Sequence, residues 1–115
     1  MNRHTERRPG LARMMLIGSL ALLAACGTVQ VGSDFDLQTF SAKVQHRVTK
    51  QDDIRSWLGE PASKGVVVDT QGHRLAKWTY YFGHGQASDM KQARLKYLEV
   101  QFDSDGRVAA YNWSQ

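Results

Sequence analysis

The chain has 115 residues and carries 15 Lys and Arg against 11 Asp and Glu, a formal net charge of +4. This length favours one small domain and excludes a multidomain enzyme. The single cysteine excludes an intramolecular disulfide framework. The excess basic charge lies in Arg3, Arg7, Arg8 and Arg13, so a chain without this segment is nearly neutral, which is not typical of nucleic-acid binding.

The first 25 residues are predicted to be a lipoprotein signal peptide. The basic segment ends at Arg13, and residues 14–25 are uncharged and mostly apolar. This apolar stretch is shorter than the about 20 residues of a bilayer-spanning helix. It ends in Leu23-Ala24-Ala25-Cys26, which resembles the bacterial lipobox. The alternative is a buried cysteine in an amphipathic N-terminal helix.

The lipobox resemblance implies cleavage before Cys26 and acylation of that residue. Acyl chains anchor a protein to a membrane without a transmembrane helix, and no other cofactor is expected. Gly27 stands where an Asp would signal retention in the inner membrane. By resemblance to lipoprotein sorting rules, the expected location is the periplasmic face of the outer membrane.

A flexible tether is predicted over residues 26–34 and a folded domain over residues 35–115. The tether contains two glycines and shows no hydrophobic periodicity, and seven flexible residues reach roughly 15 Å. A first helix is predicted over residues 36–45, because Leu37, Phe40 and Val44 form one apolar stripe.

A second helix is predicted to begin at Thr49, whose hydroxyl is a typical N-cap. Ile54, Trp57 and Leu58 share a face of this helix. Gly59 favours a left-handed end to the helix, and the proline at position 61 prevents its continuation.

After position 61 the spacing of the apolar residues changes from the helical pattern to the alternating pattern of a strand. Strands are predicted at residues 65–70, 77–82, 95–103 and 107–113, with a loop over residues 83–92. The predicted fold class is α+β, with two short N-terminal helices on one face of a three- or four-stranded antiparallel meander sheet. Six side chains are expected to face the helices: Trp78, Tyr80, Phe82, Leu98, Val100 and Phe102.

Three spaced patterns extend over most of the predicted domain. They are Thr49-x4-Ile54-x3-Leu58-Gly59-x-Pro61, Trp78-x-Tyr80, and Leu98-x-Val100-x-Phe102-x3-Gly106-x-Val108. Together they resemble the BamE (SmpA/OmlA) family of small outer-membrane lipoproteins. The resemblance implies an α-α-β-β-β fold and a non-enzymatic accessory role in the machinery that assembles outer-membrane β-barrel proteins. It also implies contacts with the other subunits of that machinery and with anionic phospholipid.

The chain departs from the family at two places. Arg47-Val48 replaces the usual glycine before the second helix, and the family's N-terminal Gln-Gly segment has no counterpart here. A paralogous lipoprotein therefore remains open. The alternative function is an inhibitor or ligand-binding lipoprotein that uses the same fold.

Four aromatic residues are candidates for binding a partner. Tyr81 and Tyr97, together with Tyr111 or Trp113, are expected on the sheet face away from the helices, where an exposed apolar cluster marks an interaction surface. One alternative is cross-strand pairing that only stabilises the sheet. For Tyr111 and Trp113, a second alternative is a place in the core, because the register of the last strand is open.

Lys91, Arg94 and Lys96 form a basic run beside the predicted loop. They are candidates for contact with anionic lipid head groups, and the alternative is a solvated strand edge. Neither catalytic nor metal-binding residues are predicted. His84 is expected in an accessible loop, and no histidine of the predicted domain has metal-ligand spacing with a second ligand.

Overall fold

The computed structural model describes residues 27–115, so the predicted signal peptide and the lipidation site Cys26 lie outside the described residues. Within this range there are five strands and two helices. In chain order they are β1 (Thr28–Gly32), α1 (Leu37–Lys43), α2 (Gln51–Leu58), β2 (Ser63–Val68), β3 (Arg74–Gln86), β4 (Asp89–Phe102) and β5 (Val108–Ser114).

The five strands form one antiparallel sheet around a long β3–β4 hairpin. Strand β5 pairs with the other side of β4 and is an edge strand. On the free side of β3, β2 pairs with residues 74–79 and β1 pairs with residues 82–86. Two short strands thus share one side of the long strand β3.

The predicted fold class is wrong in strand number and in element order. A strand precedes the two helices, and the sheet has five strands rather than three or four. Strand β1 occupies part of the segment predicted as a tether, and its partner on β3 is far away in sequence. A short valine-containing segment gains a stable strand conformation only from such a partner, so local sequence alone does not identify it.

The loop predicted over residues 83–92 is also wrong. Strand β3 continues to Gln86 and β4 starts at Asp89, so only Ala87 and Ser88 connect the two strands. An irregularity in pairing between His84 and Gln86 interrupts the ladder without ending it. Such bulges are compatible with glycines inside a strand.

Helix α1 is shorter than predicted, and its cap is an aspartate. The carboxylate of Asp36 accepts the backbone N–H of Thr39 at 3.0 Å. A hydrogen bond from the hydroxyl of Thr39 is the main cause that lowers the pKa of Asp36. The buried residues of the helix are Leu37 and Phe40.

Helix α2 is capped differently from the prediction. Its N-cap is Lys50, whose backbone N–H donates to the carboxylate of Asp53 at 3.0 Å. Thr49 is buried instead, and its hydroxyl accepts the N–H of Gln45 at 2.8 Å. Gly59 has the predicted positive φ, 80°, and ends the helix.

The hydrophobic core lies between the helices and one sheet face. Trp78 and Phe102 meet edge to face, with ring centroids 4.9 Å apart. Of the six side chains expected to face the helices, five are buried and Phe82 packs against them at the margin. The buried apolar residues are Phe35, Leu37, Phe40, Ile54, Leu58, Trp78, Tyr80, Leu98, Val100, Phe102 and Val108.

A bulge sets the direction of the side chains in β5. Val108 lies opposite Phe102, but the pairing then shifts by one residue, so that Ala110 lies opposite Gln101. The loop between the helices holds this start of β5: the N–H of Arg47 donates to the carbonyl oxygen of Val108, and the N–H of Val108 donates to the carbonyl oxygen of Thr49, both at 2.8 Å.

Candidate binding surface on the outer face of the sheet

The outer face of the sheet, turned away from the helices, changes character along the β3–β4 hairpin. Near the middle of the sheet it is polar, where Thr79 lies opposite Glu99. The pair Tyr81 and Tyr97 marks the boundary. Beyond it, towards the hairpin turn, the outer face is apolar, beginning with Leu95 opposite Gly83.

A groove of about 370 Å³ lies on this apolar part and is called the outer groove below. Its floor contains the small residues Gly83, Gly85 and Ala93. A Cβ atom at Gly85 would lie 2.8 Å from the Cβ of Ala93, which is too close for an ordinary contact. The groove therefore exists because glycine occupies the floor.

Aliphatic and aromatic side chains form the walls of the outer groove. Leu95 is the most exposed of them, at 68%. Monomeric soluble proteins rarely leave such groups side by side in water, so a contiguous set marks an interaction site. The wall residues are Val29, Val31, Tyr81, Met90, Leu95 and Tyr97.

Strand β1 supplies one wall and is fixed at both ends. At its start, the N–H of Ala87 donates to the carbonyl oxygen of Gly27 at 3.1 Å. At its end, Gly32 has a φ of +72°, and a Cβ there would overlap the carbonyl oxygen of Tyr81. Because glycine has no Cβ, the chain can pass close to β3 at the point where it leaves β1.

The structure brings together two of the four candidate aromatic residues. Tyr81 and Tyr97 lie directly opposite each other at the inner end of the outer groove. The hydroxyl of Tyr97 donates to the carboxylate of Glu99 at 3.2 Å. Partial burial, and then the negative charge of Glu99, raise the pKa of Tyr97.

Tyr111 and Trp113 lie on the helix side, away from Tyr81 and Tyr97. They are opposite Val100 and Leu98, which both face the helices. The ring of Tyr111 meets Phe40 edge to face, with centroids 5.2 Å apart. The expectation that Tyr111 or Trp113 joins Tyr81 and Tyr97 on the outer face is therefore wrong, and both lie on the core side of the sheet, which was the alternative. Both residues remain substantially exposed, Tyr111 at 43% and Trp113 at 50%.

The three candidate basic residues do not form one patch. The ammonium group of Lys96 donates to the carbonyl oxygen of Phe35 at 2.7 Å and forms an ion pair with Asp34. A hydrogen bond from Lys96 is the main cause that lowers the pKa of Asp34. Arg94 lies opposite His84, and Lys91 is exposed near the hairpin turn. His84 is in a strand rather than in the predicted loop.

A second, polar pocket of about 750 Å³ lies near the turns at the other end of the sheet. Its acidic residues have structural roles. Asp69 accepts the N–H groups of His73 and Gln71, and the bond from the His73 backbone is the main cause that lowers the pKa of Asp69. Asp103 accepts the N–H of Arg107 at 3.0 Å and closes the hairpin turn before β5.

Residues 27–115 contain neither a candidate metal site nor a membrane-spanning helix. Among these residues, no group of three or more His, Cys, Asp or Glu side chains could hold a metal ion. In the same range, neither helix has the length and apolar character needed to cross a bilayer.

The sequence prediction missed four residues of the outer groove: Val29, Val31, Met90 and Leu95. Local signals existed only for the two valines and for the glycines of the floor. Val29 and Val31 alternate with polar residues as in a half-buried strand, and Gly83 and Gly85 are two positions apart, so that both lie on the same sheet face.

The fold and the outer groove define a small domain of one five-stranded antiparallel sheet and two helices, with an exposed apolar groove on the outer face of the sheet. No protein-family model, no curated protein and no solved structure matches the chain.

Proposed function

We propose that the protein is a lipid-anchored lipoprotein on the periplasmic face of the outer membrane. Its domain is a non-enzymatic accessory subunit in the assembly of β-barrel proteins. The lipobox-like Leu23-Ala24-Ala25-Cys26 supports the anchor. The resemblance of the helix and strand patterns to the BamE family supports the choice of partner.

The observation that carries the partner-binding role is the exposure of Trp113 and Tyr111 on the edge strand β5. Large aromatic side chains dominate the energetics of protein interfaces. Covering the exposed half of one such side chain contributes roughly 1 to 1.5 kcal/mol. Both side chains lie on the same side of β5, so one partner surface can contact both.

The anchor is tested with Cys26→Ala in the full chain. We expect an uncleaved or soluble precursor that lacks acyl chains, because the substitution removes the thiol that would be acylated. Membrane fractionation and intact-mass spectrometry measure both properties. Membrane retention and electrophoretic mobility equal to those of the unchanged protein would contradict the lipobox assignment.

The partner is tested by placing a photo-crosslinking amino acid at Trp113 in cells. The matched control places it at Val66, an about equally exposed residue on β2. We expect position 113, and not position 66, to give adducts with subunits of the β-barrel assembly machinery. If neither position crosslinks to such a subunit, the proposed partner is wrong, although the lipid anchor is unaffected.

A second candidate function is binding of a small apolar ligand. It is favoured by the outer groove, because its volume of about 370 Å³ falls within the usual range of small-ligand sites. Native mass spectrometry of protein extracted from its membrane would show such a ligand as a defined added mass. This added mass should disappear in Leu95→Asp, which places a charge in the exposed wall of the groove, and its persistence would contradict ligand binding there.

A further inference from the structure

The start of the described chain is held at the tip of the β3–β4 hairpin. The N–H of Ala87, in the hairpin turn, donates to the carbonyl oxygen of Gly27, and Thr28 lies opposite Gln86. Cys26 is bonded to Gly27, so their Cα atoms are about 3.8 Å apart. A lipid on Cys26 therefore begins within a few ångströms of the hairpin tip.

The outer groove extends from this same tip. Val29 and Val31 lie two and four residues from Gly27 along β1. At about 3.4 Å per residue, their Cα atoms are at most about 7 and 14 Å from that of Gly27. The head-group layer of a bilayer is roughly 5 to 8 Å thick on each side. The near end of the groove is therefore close enough to reach the lipid head groups when Cys26 is acylated.

The hairpin end has an apolar face and a polar face. His84 lies opposite Arg94, so by strand alternation both side chains point to the face opposite Gly83 and Leu95, and the residues that line the pocket beside them are mostly polar. The division resembles that of interfacial amphipathic elements, which bury one face in the head-group boundary and keep the other in water. The polar residues of that pocket are His84, Gln86, Asp89, Gln92 and Arg94.

We propose that the outer groove is a lipid-facing surface. The apolar walls of the hairpin end lie in the membrane interface, and the polar side faces the periplasm. The occupant is membrane lipid, not protein. The anchor position supports this choice, because a strand rather than a flexible segment connects the groove to Cys26. The inference rests on the proposed acylation of Cys26.

The test places one fluorescent label on the full-length lipoprotein in vesicles. Leu95→Cys labels the groove, and Val68→Cys is the matched control at the other end of the sheet, with exposures of 68% and 65%. An acylated Cys26 offers no free thiol, so each variant has one labelling site. The vesicles contain only zwitterionic phosphatidylcholine, so that binding cannot depend on anionic lipid.

We expect a blue-shifted emission and strong quenching by lipid-borne quenchers at position 95, and neither effect at position 68. Met90→Cys gives a second groove position if the first variant does not fold. Equal, water-like emission at positions 95 and 68 would overturn the proposal.

The same sample separates this proposal from the proposed function. If intact mass shows acyl chains but position 95 is water-exposed, the lipid-facing groove is wrong and the anchor stands. If intact mass shows no acyl chain, both are wrong. If position 95 is shielded in native membranes but not in vesicles made from the lipids extracted from those membranes, the groove binds another protein, and the lipid-facing surface is again wrong.

Discussion

Tyr80 joins the sheet to the end of helix α2 through a hydrogen bond from its hydroxyl group. Its side chain is 3% exposed, and its hydroxyl donates to the carbonyl oxygen of Gly59 at 2.8 Å. Tyr80→Phe removes this hydrogen bond and keeps the ring, which packs against Phe35 with centroids 5.6 Å apart. At pH 7 we expect the free energy of unfolding to fall by about 0.5 to 1.5 kcal/mol.

The same hydroxyl makes stability fall at alkaline pH. Burial, and then the nearby charge of Glu60, raise the pKa of Tyr80 from 10.0 to about 12. Between these values the unfolded chain loses the phenolic proton before the folded protein does, so the free energy of unfolding decreases as pH rises. At pH about 11.5, this one site with pKa values of 10.0 in the unfolded chain and about 12 in the folded protein lowers the free energy of unfolding by about 1.9 kcal/mol, with RT of about 0.59 kcal/mol. Tyr80→Phe has no phenolic proton, so its free energy of unfolding does not decrease for this reason.

The order of stabilities is therefore expected to reverse. The unchanged protein is the more stable one at pH 7, and Tyr80→Phe is the more stable one near pH 11.5. Urea unfolding of both proteins between pH 7 and 11.5 measures this, and the difference between them removes the effect of all other titrating groups. A difference that stays constant with pH would refute the claim that the buried hydroxyl of Tyr80 must remain neutral.

Three further predictions concern the core, strand β1 and the ion pair beside it. Phe40→Ala should lower the free energy of unfolding by about 3 to 5 kcal/mol in urea titrations, because a fully buried ring is lost; a loss below 1 kcal/mol would contradict its place in the core. Gly32→Ala should detach β1 because of the clash with Tyr81, and unchanged amide hydrogen-exchange protection of residues 28–32 would refute this. Lys96 lowers the pKa of Asp34, so the stability from this ion pair is present above pH about 4 and is lost as pH falls below it. The thermal stability of Asp34→Asn should therefore decrease less in acid than that of the unchanged protein. An equal decrease in both proteins would show that the ion pair contributes nothing.

The helix-facing side of the sheet could be predicted because its signal is local and repeated. Trp78 and Tyr80 alternate with polar residues, as do Leu98, Val100 and Phe102, and all five are buried. Side chains in a strand alternate between faces, so a few consecutive residues are enough to identify the buried face.

The outer groove could not be predicted because it depends on contacts between distant segments. The sequence predicts a loop at residues 83–92 because they contain two glycines and several polar residues. In the structure, β1 pairs with the glycine-containing end of β3 and Val31 lies opposite Gly83. The glycines thus serve as a floor for other side chains. Their alternate spacing is compatible with that role, but it does not identify the strand that packs beside them.

A single bulge explains why the four aromatic candidates are divided between two faces. Val108 faces the core, so strict alternation from Val108 would place Tyr111 and Trp113 on the outer face. The extra residue between Val108 and Ala110 reverses this. The loop between the helices stabilises the bulge, since the side chain of His46 bonds to the carbonyl oxygen of Ala109 at 2.8 Å. The sequence of β5 alone contains no information about that loop.

The replacement of a tether by strand β1 also changes what a lipid on Cys26 would do. A flexible segment of seven residues, reaching roughly 15 Å, would let the domain rotate freely above the membrane. Strand β1 begins at Thr28, which leaves only Gly27 between Cys26 and the sheet, and Gly27 is itself hydrogen-bonded to the hairpin turn. An anchor at that position restricts the orientation of the sheet. Because the outer groove and Trp113 lie on opposite faces, lipid contact on one face leaves the other free for a protein partner.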